Sequence, residues 1–245
     1  RTVLIRRVSI AAVLILLAGI GLAYLSVYLT DRHGFEFVSG GQVWTGALPD
    51  GSSITLNKHS TLSCNRSYNS KDRDVRLTGE AFFAVAPNDR LPFVIHAQGI
   101  LVEVLGTSFN VMTAEDKTAI IVETGEVRVK KDSLIFYLHA GEKLTLSRTG
   151  LSPVKQTNTD PLYNYYRTKK FVCKATPLRE LVAALNNAYD QHIVLADQQD
   201  GDMPITVTFT DNSMADILAV ICSTLQLTTV RQGDTIILKK RNASL

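Results

Sequence analysis

The sequence predicts a mixed architecture of a single transmembrane α-helix, an all-β sandwich or roll, and a small α+β domain ordered βαβ then βαββ. Three observations carry this: a 21-residue uncharged run near the start, short alternating strands after it, and a late change of apolar period from 2 to 3.6. At about 100–200 residues per domain, 245 residues accommodate two modest domains beyond the span. With 45% hydrophobic and 20% charged residues the chain lies outside the composition of disordered proteins. The formal charge is +3, and Arg1, Arg6, Arg7 and Arg32 against Asp31 account for all of it. A neutral body argues against a nucleic-acid binder, whose folded domain carries a basic patch.

Val8–Tyr28 contains no charged residue. As a helix it rises about 31 Å, matching a hydrocarbon core of about 30 Å. A cleavable signal peptide has a shorter apolar run and a small-x-small exit, whereas this run ends Tyr-Leu-Ser-Val-Tyr. The segment is therefore expected to stay as an anchor. Arginines precede it and Asp31-Arg32 follow, so the positive-inside rule puts residues 1–7 in the cytoplasm and the body outside. Gly19 and Ala23 make a small-xxx-small pair that could face a second helix, though such pairs are common in membrane spans. A seven-residue stub cannot fold, and a cytoplasmic effector region is expected ahead of it.

Residues 33–150 read as the all-β domain. Strands are expected at Ser53–Leu56, Val75–Thr78, Ala81–Val85, Phe93–His96, Ile100–Leu105, Phe109–Thr113, Ala119–Glu123, Glu126–Val129, Leu134–Leu138 and Lys143–Ser147, with no amphipathic helix between them. Pro49-Asp50-Gly51 has turn chemistry, and Thr124-Gly125 is expected to close a hairpin. Trp44 is expected in the strand core.

Residues 151–167 hold Pro153, Pro161 and a polar run, and are expected to be a linker, with Tyr163, Tyr165 and Tyr166 packing it onto the next domain. Residues 168–241 form the α+β domain. Thr176-Pro177 is expected to cap a helix carrying the stripe Leu178, Leu181, Val182, Leu185 and Tyr189. Asn212 or Ser213 caps a second, with Met214, Ile217, Leu218, Ile221 and Leu225 repeating the stripe 36 residues on. Strands are expected at Phe171–Cys173, Ile193–Leu195, Ile205–Phe209, Leu227–Val230 and Thr235–Leu238, together forming one small sheet, with Gln232-Gly233-Asp234 turning the last two.

Catalytic and metal motifs are not found. The five histidines have no ligand spacing, and the three cysteines, Cys64, Cys173 and Cys222, include no CxxC, so neither metal nor cofactor is expected. An odd cysteine count does not make a disulfide framework; Cys173 and Cys222 could pair, but free thiols are the expected state. His96 and His139 end strands as rim residues, and Lys130-Lys131 and Lys239-Lys240-Arg241 are expected to be solvated strand ends. Gly106-Thr107 stands apart, because a threonine hydroxyl after a glycine can attack the preceding carbonyl in a strained turn. The ordinary reading of the same dipeptide is a turn.

Four stretches match a known family in order: Leu48-Pro49-Asp50-Gly51-Ser52-Ser53-Ile54-Thr55-Leu56-Asn57, Leu77-Thr78-Gly79-Glu80-Ala81-Phe82-Phe83-Ala84-Val85, Pro92-Phe93-Val94-Ile95, and Val104-Leu105-Gly106-Thr107-Ser108-Phe109-Asn110-Val111. Val122-Glu123-Thr124-Gly125-Glu126-Val127 and Leu138 with Gly141-Glu142 continue it. Together they resemble the periplasmic domain of FecR-like proteins, anti-sigma regulators of Gram-negative bacteria. The region with Phe171, Thr176-Pro177-Leu178, Leu185, Tyr189, Ile193, Ile205-Thr206 and Phe209 looks like the domain that closes many such regulators, similar to the short N-terminal modules of secretins and TonB-dependent receptors.

The resemblance implies a single-pass inner-membrane regulator with its bulk in the periplasm and no enzymatic turnover. It would carry substrate occupancy from the signalling domain of an outer-membrane TonB-dependent transporter, as in iron or nutrient uptake, to an extracytoplasmic-function sigma factor. The sigma factor would be held by a region ahead of this chain. It also implies, for some relatives, self-cleavage at a Gly-Thr bond by an N-to-O acyl shift, with Thr107 as nucleophile and Gly106 supplying the carbonyl. The competing readings are a cell-envelope binding module for glycan or protein, anchored by one helix, and a tethered hydrolase. The latter lacks a nucleophile–base pair in sequence.

Overall fold

The computed structural model describes residues 16–22, 34–147 and 152–241. Most of the expected span, residues 8–15 and 23–28, lies outside the described residues. Residues 16–22 are helical, and among the described residues no helix is long and apolar enough to cross a membrane. The chain divides into two compact units at Gln156/Thr157.

The first unit is built of two seven-stranded sheets. One runs in the order β1 (Phe35–Ser39), β4 (Ser60–Cys64), β5 (Arg73–Thr78), β7 (Phe93–Ala97), β8 (Ile100–Val104), β11 (Glu126–Lys131), β12 (Leu134–His139). The other runs β14 (Val154–Thr157), β13 (Glu142–Ser147), β10 (Lys117–Thr124), β9 (Ser108–Thr113), β6 (Glu80–Ala84), β3 (Ser53–Leu56), β2 (Trp44–Ala47). Among β1–β13 the neighbouring strands pair antiparallel, except β5 with β7, which pair parallel. Alternation explains the packing. In β5 the odd residues Arg73, Val75 and Leu77 are buried and their neighbours are not, and β4, β7 and β8 show the same period. Phe83 and Phe109 stack at 5.4 Å within one sheet, and Phe83 meets Phe93 of the other at 5.8 Å, so aromatic contacts cross the core.

The chain changes sheet repeatedly, and glycines make the corners. Gly79 joins β5 to β6, Gly125 joins β10 to β11, and Gly141 joins β12 to β13; all have φ between 80 and 91°. The hairpin expected at Thr124-Gly125 is therefore a corner instead. The left-handed φ serves the turn, but the two flanking strands pair with different neighbours. A strand pattern reveals that a turn exists without revealing which partner each arm will choose. Trp44 is half-buried at an edge of the core, stacked on Phe37 at 4.6 Å.

The stretch expected as a linker holds β14, added to the edge of the second sheet, and a helical turn α1 (Tyr165–Thr168). Tyr165 stacks on Phe171 at 5.2 Å and packs against the core of the second unit.

The second unit follows β15 (Lys170–Pro177), α2 (Leu178–Tyr189), β16 (His192–Leu195), a 3-10 turn Gln198–Asp202, β17 (Pro204–Thr210), α3 (Met214–Leu225), β18 (Leu227–Gln232), β19 (Thr235–Lys240). This is the βαβ-βαββ order, yet the strands form two sheets rather than one. β15 pairs only with β17, and β16 lies parallel to β19, which pairs antiparallel with β18. The α2 stripe is buried at Leu178, Leu181, Val182 and Leu185. In α3 Ile217 and Ile221 are buried, with Met214, Leu218 and Leu225 packed at the margin. Ser213 caps α3, its hydroxyl accepting from the Asp216 N–H at 3.2 Å. Thr176 does not cap α2, because the chain enters the helix at Pro177 and no side chain caps it. The Thr176 hydroxyl instead accepts from Lys174 N–H, inside the bulge of β15.

Candidate functional site

Gly106-Thr107 lies where the chain leaves β8 in one sheet for β9 in the other. Thr107 is almost fully buried, and its hydroxyl donates to the Glu126 carbonyl at 3.0 Å, across to the corner at Gly125. The Val85 N–H donates to the Thr107 carbonyl at 3.0 Å, and the Asn88 N–H to the Leu105 carbonyl at 2.7 Å. Three crossings between the sheets are thereby tied together at one dipeptide. Gly106 has no positive φ; a Cβ there would come within 2.8 Å of Pro87 Cα. The glycine is required by close approach, and its backbone lies outside the left-handed region. The Thr107 proton is committed to a main-chain carbonyl, which is not a general base.

The buried polar centre of this unit is elsewhere. Arg73, 1% exposed, extends inward from β5 and pairs with Asp50 at 3.1 Å. Its Nε donates to the Leu91 carbonyl at 2.7 Å and its Nη1 to that of Ala86 at 2.9 Å, with the guanidinium 5.8 Å from the Phe93 ring centre. Asp50 also accepts from Ser52, from the N–H at 3.0 Å and from the hydroxyl at 2.7 Å. Both charges are compensated by hydrogen bonds as well as by each other, the condition for keeping an ion pair in a core. Burial, then the charge of Asp50, pushes the Cys64 thiol up to about 12 and the Tyr68 hydroxyl well above its ordinary value. Sequence reasoning saw Asp50 only as a turn residue. Strand parity with Val75 and Leu77 was the available signal for Arg73.

The remaining candidates are dispersed. His96 pairs with Asp74 at 3.0 Å, both lining a recess of about 400 Å³ together with Glu36, Ser63, Asn65 and Arg76, and His139 pairs with Glu126 at 3.3 Å on the surface. Lys131 donates to the Ser147 carbonyl at 2.8 Å, and Lys240 reaches the buried Asp200 at 2.9 Å. Cys64 and Cys173 are buried free thiols and Cys222 a half-buried one, so Cys173 and Cys222 are not bridged. Burial pushes Cys173 up to about 11, the low-reactivity side for a thiol. Among the described residues no three His, Cys, Asp or Glu side chains gather as a metal site.

What the second unit offers is main chain. Its three-stranded sheet has β16 and β18 at its edges, and the two are treated differently. The Asn186 side chain grips Ile193, donating to its carbonyl at 2.9 Å and accepting from its N–H at 2.7 Å, so the short β16 edge is already occupied there. On the other side, the Arg241 N–H bonds the Gln226 carbonyl at 3.0 Å, which fixes the phase of the β18–β19 ladder. Antiparallel alternation then turns the N–H and C=O groups of Leu227, Thr229 and Arg231 toward the open side.

By class this is a two-unit, sheet-rich protein whose described polar groups hold corners and whose terminal sheet presents an open edge. The comparisons sharpen the class. The sequence model described as FecR protein matches residues 38–128, and that described as FecR, C-terminal matches residues 170–238. The chain belongs to the FecR family of anti-sigma factors. Two crystal structures of a proposed anti-sigma factor from Parabacteroides distasonis ATCC 8503 are similar to it. One is 25% identical with a TM-score of 0.69, covering 85% of this chain and 100% of that one. The other is 26% identical with a TM-score of 0.68, covering 85% and 99%. No curated protein matches the sequence.

Proposed function

We propose that this chain is the membrane-anchored periplasmic part of an anti-sigma regulator that passes transporter occupancy to an extracytoplasmic-function sigma factor. Val8–Tyr28 is the single span, with the N-terminus cytoplasmic and the sigma factor bound on that side. The signal arrives from the periplasmic signalling domain of an outer-membrane TonB-dependent transporter, which adds a strand to β18. The open N–H and C=O groups of Thr229 and its neighbours carry this reading, since strand addition draws its affinity from unpaired main chain at a sheet edge. In this reading the protein turns over no substrate, and Gly106-Thr107 is a structural tie between sheet crossings.

The test is a sigma-dependent reporter in cells bearing the full-length regulator and its transporter, with the transported substrate supplied. Thr229→Pro removes an outward N–H without taking a bond from the β18–β19 ladder. Induction is expected to disappear in Thr229→Pro while protein level and thermal stability hold. Full induction by this variant would refute docking at β18.

A further inference from the structure

Edge strands invite pairing with other chains, and proteins blunt them with charge, proline, bulges, shortness or cover. Among the described residues nearly every edge here is blunted. β1 carries Glu36, β14 carries Lys155, and β15 has Lys170, Lys174 and a bulge, while β18, the docking edge proposed above, carries a single charge at Arg231. β17 starts at Pro204, β2 has four residues, and the four-residue β16 is gripped by Asn186. β12 is the exception. Its six residues, Leu-Ile-Phe-Tyr-Leu-His, contain no Lys, Arg, Asp, Glu or Pro, and its pairing with β11 has no register shift.

The open side of β12 can be read residue by residue. Lys131 and Leu134 close a two-residue turn as paired positions, so Leu134, Phe136 and Leu138 bond to β11. The His139 N–H independently agrees, since it donates to Glu142 at 2.8 Å rather than to β11. Ile135 and Tyr137 therefore direct their N–H and C=O groups at the open edge. Their side chains stand on the outer face, 50% and 49% exposed. The registers extend that face inward as rows Leu101–Lys130–Ile135 and Glu103–Arg128–Tyr137, with Glu126 opposite His139 beyond them. Arg128 is paired with Glu103 and His139 with Glu126, so the charges beside the edge are largely compensated.

We propose that β12 pairs antiparallel with β12 of a second copy of this chain, Phe136 opposite Phe136, joining the two first sheets into one. The strand is self-complementary in that register. A two-fold axis through Phe136 sets Ile135 of each copy opposite Tyr137 of the other, giving two aromatic/β-branched pairs on the outer face. The same step forms four main-chain hydrogen bonds from the four N–H and four C=O groups left open on the two edges. Leu134 falls opposite Leu138, and no like charges meet between positions 134 and 138. An uncharged strand that satisfies its own edge selects a second copy over an acidic or basic peptide. One strand pair is small beside a standard interface of about 1,600 Å², so the dimer is reversible and depends on concentration.

Cysteine cross-linking of the full chain in a Cys222→Ser background tests the register. Opposed residues lie about 5.5 Å apart, within disulfide reach, whereas position 135 lies a two-residue diagonal, about 8 Å, from position 135 of the other copy. Copies bearing Ile135→Cys mixed with copies bearing Tyr137→Cys are expected to give a disulfide dimer on mild oxidation, and either variant alone only traces. Ile135→Lys, at an outward and half-exposed site, is expected to leave the purified full chain monomeric at concentrations where the parent sediments as a dimer. Equal cross-linking in mixed and single samples, or a parent that stays monomeric throughout the concentration series, would overturn the proposal. Loss of dimer without loss of sigma-dependent induction separates this edge from the one on β18.

Discussion

The two units differ most in how much of their sheet is edge. Among the described residues, four of the fourteen strands in the first unit lie at a sheet edge, against four of the five in the second, where β19 alone is flanked on both sides. The first unit buries a charged pair, Arg73–Asp50, at 1% and 4% side-chain exposure. The second keeps one partner in water, with Lys240 67% exposed and Asp200 4%. A large two-layer core can enclose a cation and hydrogen-bond it on all sides. A small two-sheet unit has no depth for that, and retains open main chain that a partner can use.

Breaking each ion pair is the strongest test of that contrast. Arg73→Ala leaves Asp50 buried without its counter-charge and is expected to cost about 3–5 kcal/mol in denaturant unfolding. Asp200→Ala leaves Lys240 in water and is expected to cost clearly less. Equal losses would show that the two pairs are not differently buried in solution.

A smaller effect comes from pH. Cys64 ionises near 9 in an open chain and near 12 in the fold, so the native state holds its proton while the unfolded state releases it. This contribution is fully present below about pH 9 and is lost as pH rises toward about 12, in the same direction as those of Tyr68 and Cys173. The melting temperature is expected to fall across that range, and Cys64→Ala to fall less steeply while being less stable at neutral pH.

The smallest expected effect is at the corner tie. Thr107→Ala removes the hydrogen bond to the Glu126 carbonyl and is expected to cost about 1 kcal/mol. An immunoblot of the full-length protein tagged at both ends is expected to show one intact band with and without this substitution. Fragments that vanish in the variant would instead make Gly106-Thr107 a cleaved bond.

Period and turn chemistry made much of the fold legible. The ten named strands of the first unit all occur, within a residue or two of the expected ends, as do both helices and the five strands of the second, except that β15 runs four residues past its expected end at Cys173, to Pro177. Alternation passed over β1, β2, β4 and β14, and two of these, β1 and β4, have a polar inward position. In β1 and β4, Ser39 and Ser60 are buried, and the Ser39 hydroxyl accepts from the Ser60 N–H at 2.9 Å. A serine satisfied inside a core does not register as hydrophobic.

By itself the sequence determined where the chain extends, coils and turns, because those depend on residues a few positions apart. It determined the family too, because the ordered motifs are local strings. Which strands become neighbours was decided only in three dimensions. Gly125 permits a left-handed corner whether its arms pair or part, and the β15–β17 and β16–β19–β18 sheets could have been one. The Arg73–Asp50 pair and the open edges of β12 and β18 follow from those partnerships, since burial and unpaired main chain depend on what lies beside a strand.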